Sequence, residues 1–252
     1  MMTGAVLSLF VWIGVPAGDY SLQKELDAEI AAIHAEYHVK VHYAYSAEKF
    51  FPKMWLKAPF AGEGKAIPYD EAKRLLPIVR TMLSKHPKEI LRKDLKDIFL
   101  LSEMKFYGKP FGGTNSRDGV YIVSQGLAMG YTDEHLEAIG HAEFSSILFR
   151  KYDFPEDEWN AVNPTDFRYG KSGVDFLDQA NLYGQNRNLL SDGFLVKYSQ
   201  STLEDDFNTL SGWLFTSREK LKVLNEQYPK LKAKHDLTVQ FYKSLSAKYD
   251  VN

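Results

Sequence analysis

One stretch, TDEHLEAIGHAEFSSILFRKYDFP (Thr132–Pro155), constrains this chain more than any other. Thr132 is placed to cap a helix. Asp133 and Glu134 fall in its first turn and Arg150 and Lys151 in its last, the charge order that a helix dipole favours. Pro155 stops it. Leu136, Ile139, Phe144, Ile147 and Leu148 form an apolar stripe too wide for a helix lying on a surface. The pattern predicts a long, largely buried helix that the rest of the chain must cover.

The remaining segments are read from their periods. SLQKELDAEIAAIHAEY spaces Leu22, Leu26, Ile30 and Ile33 along one helical face after a Ser21 cap. Val39, Val41, Tyr43 and Tyr45 alternate as a strand does. PYDEAKRLLPIVRTMLSKH is helical, bent or restarted at Pro77. KDIFLLSEMKFYG and GVYIVSQG read as strands, and GKPFGGTNSRDG between them as a turn leading to an edge strand. Ser201 and Glu204 stand in capping-box spacing at the start of another helix, and YPKLKAKHDLTVQFYKSLSAKY is an amphipathic C-terminal one. The order predicts an α+β fold: a small mixed or antiparallel sheet, a long buried helix and a mostly helical C-terminal half. At 252 residues and 44% hydrophobic, the chain has material for one core.

Residues 21–252 are expected to form a single domain, preceded by an apolar segment over 1–20. Within that segment Ala5–Val15 has the length of a signal-peptide core and is too short to span a bilayer; a buried strand is the alternative. The signal reading places the protein outside the cytoplasm and gives it its one route to a membrane. Net charge is −2, with no basic concentration of the kind nucleic acid requires. The absence of cysteine excludes disulfides, thiolate zinc sites and thiol nucleophiles.

Chemistry centres on Glu143. In an H-E-x-x-H helix, two imidazoles four residues apart bind one metal, and the Glu beside the first takes a proton from metal-bound water. Laid over Glu143, that template puts Ala142 and Ser146 at the two imidazole positions. His141 is one residue away, a turn of about 100° around the axis. His135 is on nearly the right face but about 10 Å along the helix.

Three further stretches, LDAEIAAIHAEYHVKVHYAY, FGGTNSRDGVYIVS and HAEFSSILFRKYDFPEDEWNAVNP, together with LLSDGFLVKYSQSTLEDDFNTL, give the chain from about Leu22 onward its resemblance. It is similar to the zinc-binding metallopeptidase family of Bacteroidetes, cell-surface or periplasmic proteins, often lipoproteins encoded beside nutrient-import systems. The resemblance implies a zincin-like (gluzincin-like) fold and zinc. It also implies H-E-F-x-H-I-L on the motif helix and an acidic third ligand near a Glu-Asp-Phe step. AEFSSIL keeps the Glu, the Phe and the Ile-Leu pair and lacks both histidines. LEDDFN (Leu203–Asn208) matches the third-ligand segment, so Glu204 or Asp205 stands for that ligand, with His141 as the nearby imidazole. Zinc binding is then expected to be weak or absent. Tyr121 and Val123, on the strand before the motif helix, and the aromatics Trp159, Tyr169 and Trp213 are candidates for contacting a peptide or protein ligand.

Each of these residues has a plainer reading. Glu143 is a buried acid bonded to a Tyr, Asn or Arg; His141 is a hydrogen-bonded core histidine; Glu204 and Asp205 are first-turn acids. HAEYH with His42 spaces three histidines at intervals of four, but the pattern turns to strand near Val39 and takes His42 off the face. No G-x-S-x-G elbow is present. Three functions remain open: a metallopeptidase-like binding or accessory protein of the cell envelope without the standard zinc site, a hydrolase with a rearranged site built on Glu143, and an intracellular interaction domain unrelated to proteolysis.

Overall fold

The computed structural model describes residues 17–170, 172–177, 179 and 181–251; the apolar run Ala5–Val15 lies outside the described residues. The first half runs α1 (Ala17–Tyr37), β1 (Lys40–His42), α2 (Ala47–Phe50), β2 (Glu63–Ala66), α3 (Tyr69–Ser84), α4 (Lys88–Asp94), β3 (Asp97–Phe106), β4 (Lys109–Pro110), β5 (Gly113–Asn115) and β6 (Gly119–Val123). The second half is helical: α5 (Asp133–Lys151), α6 (Glu156–Val162), α7 (Gly173–Phe176), α8 (Arg187–Ser191), α9 (Leu203–Thr216), α10 (Arg218–Gln227) and α11 (Pro229–Leu245). This is the mixed, helix-rich α+β architecture that the periods predict.

The sheet is organised by β3. Its first half pairs in parallel with β1 on one edge and β6 on the other, and its second half pairs antiparallel with β2 and β4. β5 then pairs antiparallel with β6 and forms the outer edge. Alternation along the central strands divides two cores. Ile98, Leu100, Val120 and Ile122 face the helices. Phe99, Leu101, Tyr121 and Val123 face an aromatic layer supplied by Phe50, Phe51 and Phe106. Because both faces are covered, β6 is buried at every residue.

α5 is as long and as buried as its stripe requires. It lies between the sheet, α3 and α9. Thr132 Oγ1 caps it by accepting the His135 N–H. Gly212 of α9 faces Ala138 of α5 so closely that a Cβ there would come within 3.1 Å of the Ala138 carbonyl, and this lets the two helices approach.

The structure corrects four local expectations. Ser21 lies inside α1, which begins at Ala17. α3 runs through Pro77 without restarting. α9 is capped by Thr202, one residue after Ser201. GVYIVS is not the edge strand: β6 is flanked on both sides, and the Gly-rich segment read as a turn supplies the edge itself as β5.

Candidate functional site

A cleft of about 1150 Å³ opens between β5 and α9, with α5 along its floor. α5 contributes His135, Ala138, Ile139, Ala142, Glu143 and Ser146, residues spaced three and four apart on one face. α9 contributes Glu204, Asp205, Asn208 and Thr209 by the same spacing. The segment from β4 to β5, Tyr183 and Tyr198 complete the walls.

Glu143 is half-buried and surrounded by protein at the floor. Asn115 of β5 donates its amide N–H to Glu143 Oε2 at 2.5 Å. Asn115 Oδ1 in turn accepts from Arg150, which also holds Glu204 Oε1 at 2.5 Å. Burial pushes the Glu143 carboxyl up to about 7; the nearby Asp205 and Glu204 push the same way, against the Asn115 hydrogen bond and the Arg150 charge. Asp205 is raised by burial too, although the hydroxyls of Ser201, Thr202 and Tyr198 donate to it at 2.6, 2.8 and 3.3 Å. The cleft therefore sets two carboxyls in conditions unfavourable to charge.

The positions flanking Glu143 on the template carry no metal-binding chemistry. Ala142 presents a methyl to the cleft. Ser146 accepts a 2.5 Å hydrogen bond from the Asn208 amide. Among the described residues no three His, Asp or Glu side chains are grouped to hold a metal ion. With carboxylates as its charged donors and imidazole missing from both positions, this donor set does not fit zinc.

His141 faces the opposite way, as the 100° turn requires. It is fully buried, stacked on Phe215 at 4.5 Å, with Nδ1 2.9 Å from His86 Nε2 and Nε2 3.2 Å from Glu137. Its assignment as a nearby metal ligand is corrected to a core histidine. Glu204 lines the cleft but pairs with Arg150, and Asp205 lines it bound to hydroxyls. Val123 reaches the cleft, whereas Tyr121 sits in the aromatic layer and donates its hydroxyl to the Phe50 carbonyl at 2.5 Å. Trp159 and Tyr169 are also misplaced by the sequence reading: both donate to Asp206 in the core, while Trp213 lines the cleft beside Phe111, Tyr131, Tyr183 and Tyr198. His34 and His38 lie edge to face, 6.3 Å between ring centroids, but His42 is off their face and bonds Asp97 from β1.

The fold has a solved counterpart. A crystal structure described as a "putative zinc-binding metallo-peptidase" from Bacteroides caccae matches this chain with a TM-score of 0.58, over 92% of this chain and 88% of that one, at 14% identity. At that identity the likeness establishes a shared fold and nothing more. No family model matches the chain, and no curated protein matches it significantly.

Asn115, Arg150, Tyr198 and Asn208 are the residues in and around the cleft that sequence reasoning missed. The available signal was weak: Asp205 and Asn208 are polar at i, i+3 on a helix that is otherwise mostly buried. Gly113 is equally specific. A Cβ there would lie 2.6 Å from Ile139 and 2.8 Å from Glu143 Oε1. Gly113→Val is expected to force β5 off α5 at a cost of about 1–3 kcal/mol, read as a lowered urea midpoint.

Proposed function

We propose that the protein is a metallopeptidase-like binding protein of the cell envelope. In this reading it holds an extended peptide or protein segment in the cleft and does not hydrolyse it by zinc chemistry. The observation that carries this reading is the methyl of Ala142 and the hydrogen-bonded hydroxyl of Ser146 on either side of Glu143. Without two imidazoles, zinc loses most of its ligand set. Without a metal, one carboxyl supplies little of the barrier reduction that peptide hydrolysis needs.

The open edge supports a strand-like ligand. The ladder bonds Val123 N–H to Gly112 C=O and Ser116 N–H to Gly119 C=O. Alternation then turns the backbone groups of Gly113 and Asn115 away from β6, towards a segment that could pair there. The envelope location rests on the family resemblance and on Ala5–Val15 read as a signal-peptide core; N-terminal sequencing of the protein from an envelope fraction tests it.

One observation favours hydrolysis by a rearranged site: a carboxyl that titrates near 7 suits a general base. Metal analysis of protein purified without a polyhistidine tag, followed by peptide hydrolysis with added zinc, separates the two. The binding reading expects far less than one zinc per chain and no hydrolysis. Stoichiometric metal with activity lost in Glu143→Gln would establish the hydrolase. The double change Ala142→His and Ser146→His is expected to create zinc binding; failure to do so would show that the floor is not arranged as the template requires.

A further inference from the structure

The cleft floor has acceptors in excess of donors. Glu103 and Glu204 are neutralised by Lys65 and Arg150. Glu143 and Asp205 are in no ion pair among the described residues; their partners are one amide and three hydroxyls. Asn208 lies one turn beyond Asp205 and is nine-tenths buried at the floor. Its amide nitrogen is committed to Ser146, and its Oδ1 has no hydrogen-bond donor among the described residues. A buried acceptor left without a donor costs about 1–3 kcal/mol, and a ligand that brings donors removes that cost.

We propose that the floor receives an ammonium group of the bound segment, placed against Glu143, Asp205 and Asn208 where a zincin would carry its metal. This rests on the peptide-binding reading above. Ammonium is the matching chemistry because it has three N–H donors, no acceptor and one positive charge. Its acceptors here are a carboxyl of α5 and a carboxyl and an amide oxygen of α9 lining one cleft, a set that suits a compact cation better than the flat fork of a guanidinium. Three side chains also fall short of the six to eight oxygens that calcium takes. The walls suit an aliphatic stem: Phe111, Ile139, Val174, Leu177 and Trp213 line the cleft, and a lysine side chain lies its methylenes on apolar surface while its amine reaches a polar group.

The test uses the whole protein and a library of hexapeptides, acetylated and amidated, in which one position is Lys, Met or Glu. Binding is read by calorimetry. A second library leaves the N-terminus free and contains no Lys, so that a terminal amine is distinguished from a side-chain amine as the source of the ammonium. An ammonium-bearing peptide is expected to bind at least about tenfold tighter than its Met counterpart, and the Glu peptide weakest. Glu143→Gln is expected to reduce that preference sharply. Peptides that bind with no preference for an amine, or with the preference intact in Glu143→Gln, would overturn the ammonium assignment and leave the peptide reading standing. If none of the peptides binds, both fall.

Discussion

Lys234→Met is expected to destabilise the protein by about 3–5 kcal/mol, the cost of leaving one member of a buried ion pair alone. Lys234 on α11 is fully buried, and Asp206 on α9 nearly so, with Nζ 2.6 Å from Oδ2. The same oxygen takes the Trp159 indole N–H at 3.1 Å and the Tyr169 hydroxyl at 2.8 Å. The ammonium sits over the Phe194 ring, 3.8 Å from its centroid. Burial works against both charges, lowering the Lys234 pKa and raising that of Asp206, and each holds its charge through the other. Removing the lysine strands the carboxylate; Lys234→Met with Asp206→Asn is expected to recover much of the loss. Urea denaturation of both variants checks this. The functional link is direct. Asp206 points into the core while its neighbour Asp205 points into the cleft, so the ion pair sets the roll of α9 that presents Asp205 and Asn208.

Glu143→Gln is expected to stabilise the protein at pH 8 by about 2 kcal/mol, allowing for the solvent that reaches the cleft. The folded carboxyl is raised to about 7 from 4.5. A folded acid with a raised pKa binds more protons than the unfolded chain between those values, so stability falls as pH rises through that window. Below about pH 4.5 both states are protonated and the variant should match the wild type; the difference grows to its full size above 7. Thermal or urea unfolding at pH 4, 6 and 8 measures it. A gain that is flat with pH would show that Glu143 is an ordinary solvated acid. A side chain that lowers stability at a cleft floor is what a ligand-contacting group is expected to do.

How far the sequence could be read depended on periodicity. The long elements announce themselves: the stripe of α5, the alternation in β3 and β6 and the amphipathic α11 all lie where their patterns put them. β5 does not, because Gly113–Asn115 has too few apolar residues to alternate and reads as turn. That misreading moved the edge to β6. That Ala142 and Ser146 stand at the template's two imidazole positions was legible in the sequence, and so was the direction in which His141 turns from that face. The partners of Glu143 were not. Asn115 comes from 28 residues before it, Arg150 reaches it by hydrogen bonds through Asn115, and a lone Asn in a Gly-rich segment carries no periodic signal. Trp159 and Tyr169 were misassigned for a related reason: aromatic content does not say whether a ring lines a groove or covers a buried charge.

The pair formed by His86 and His141 leaves a mark on proton placement inside the molecule. Glu137 stays ionised beside Lys85, so His141 must give it the Nε2 hydrogen. His141 Nδ1 is then an acceptor for His86 Nε2–H, and His86 Nδ1 an acceptor for the Tyr249 hydroxyl at 3.2 Å. One tautomer per ring satisfies all three links, giving the row a polarity that runs from the C-terminal end of the chain to α5. An extra proton on His141 would turn the row round, with Nδ1 donating to His86 Nε2 and His86 Nδ1 donating to the Tyr249 oxygen, so this polarity holds while both rings are neutral, the state that their burial favours.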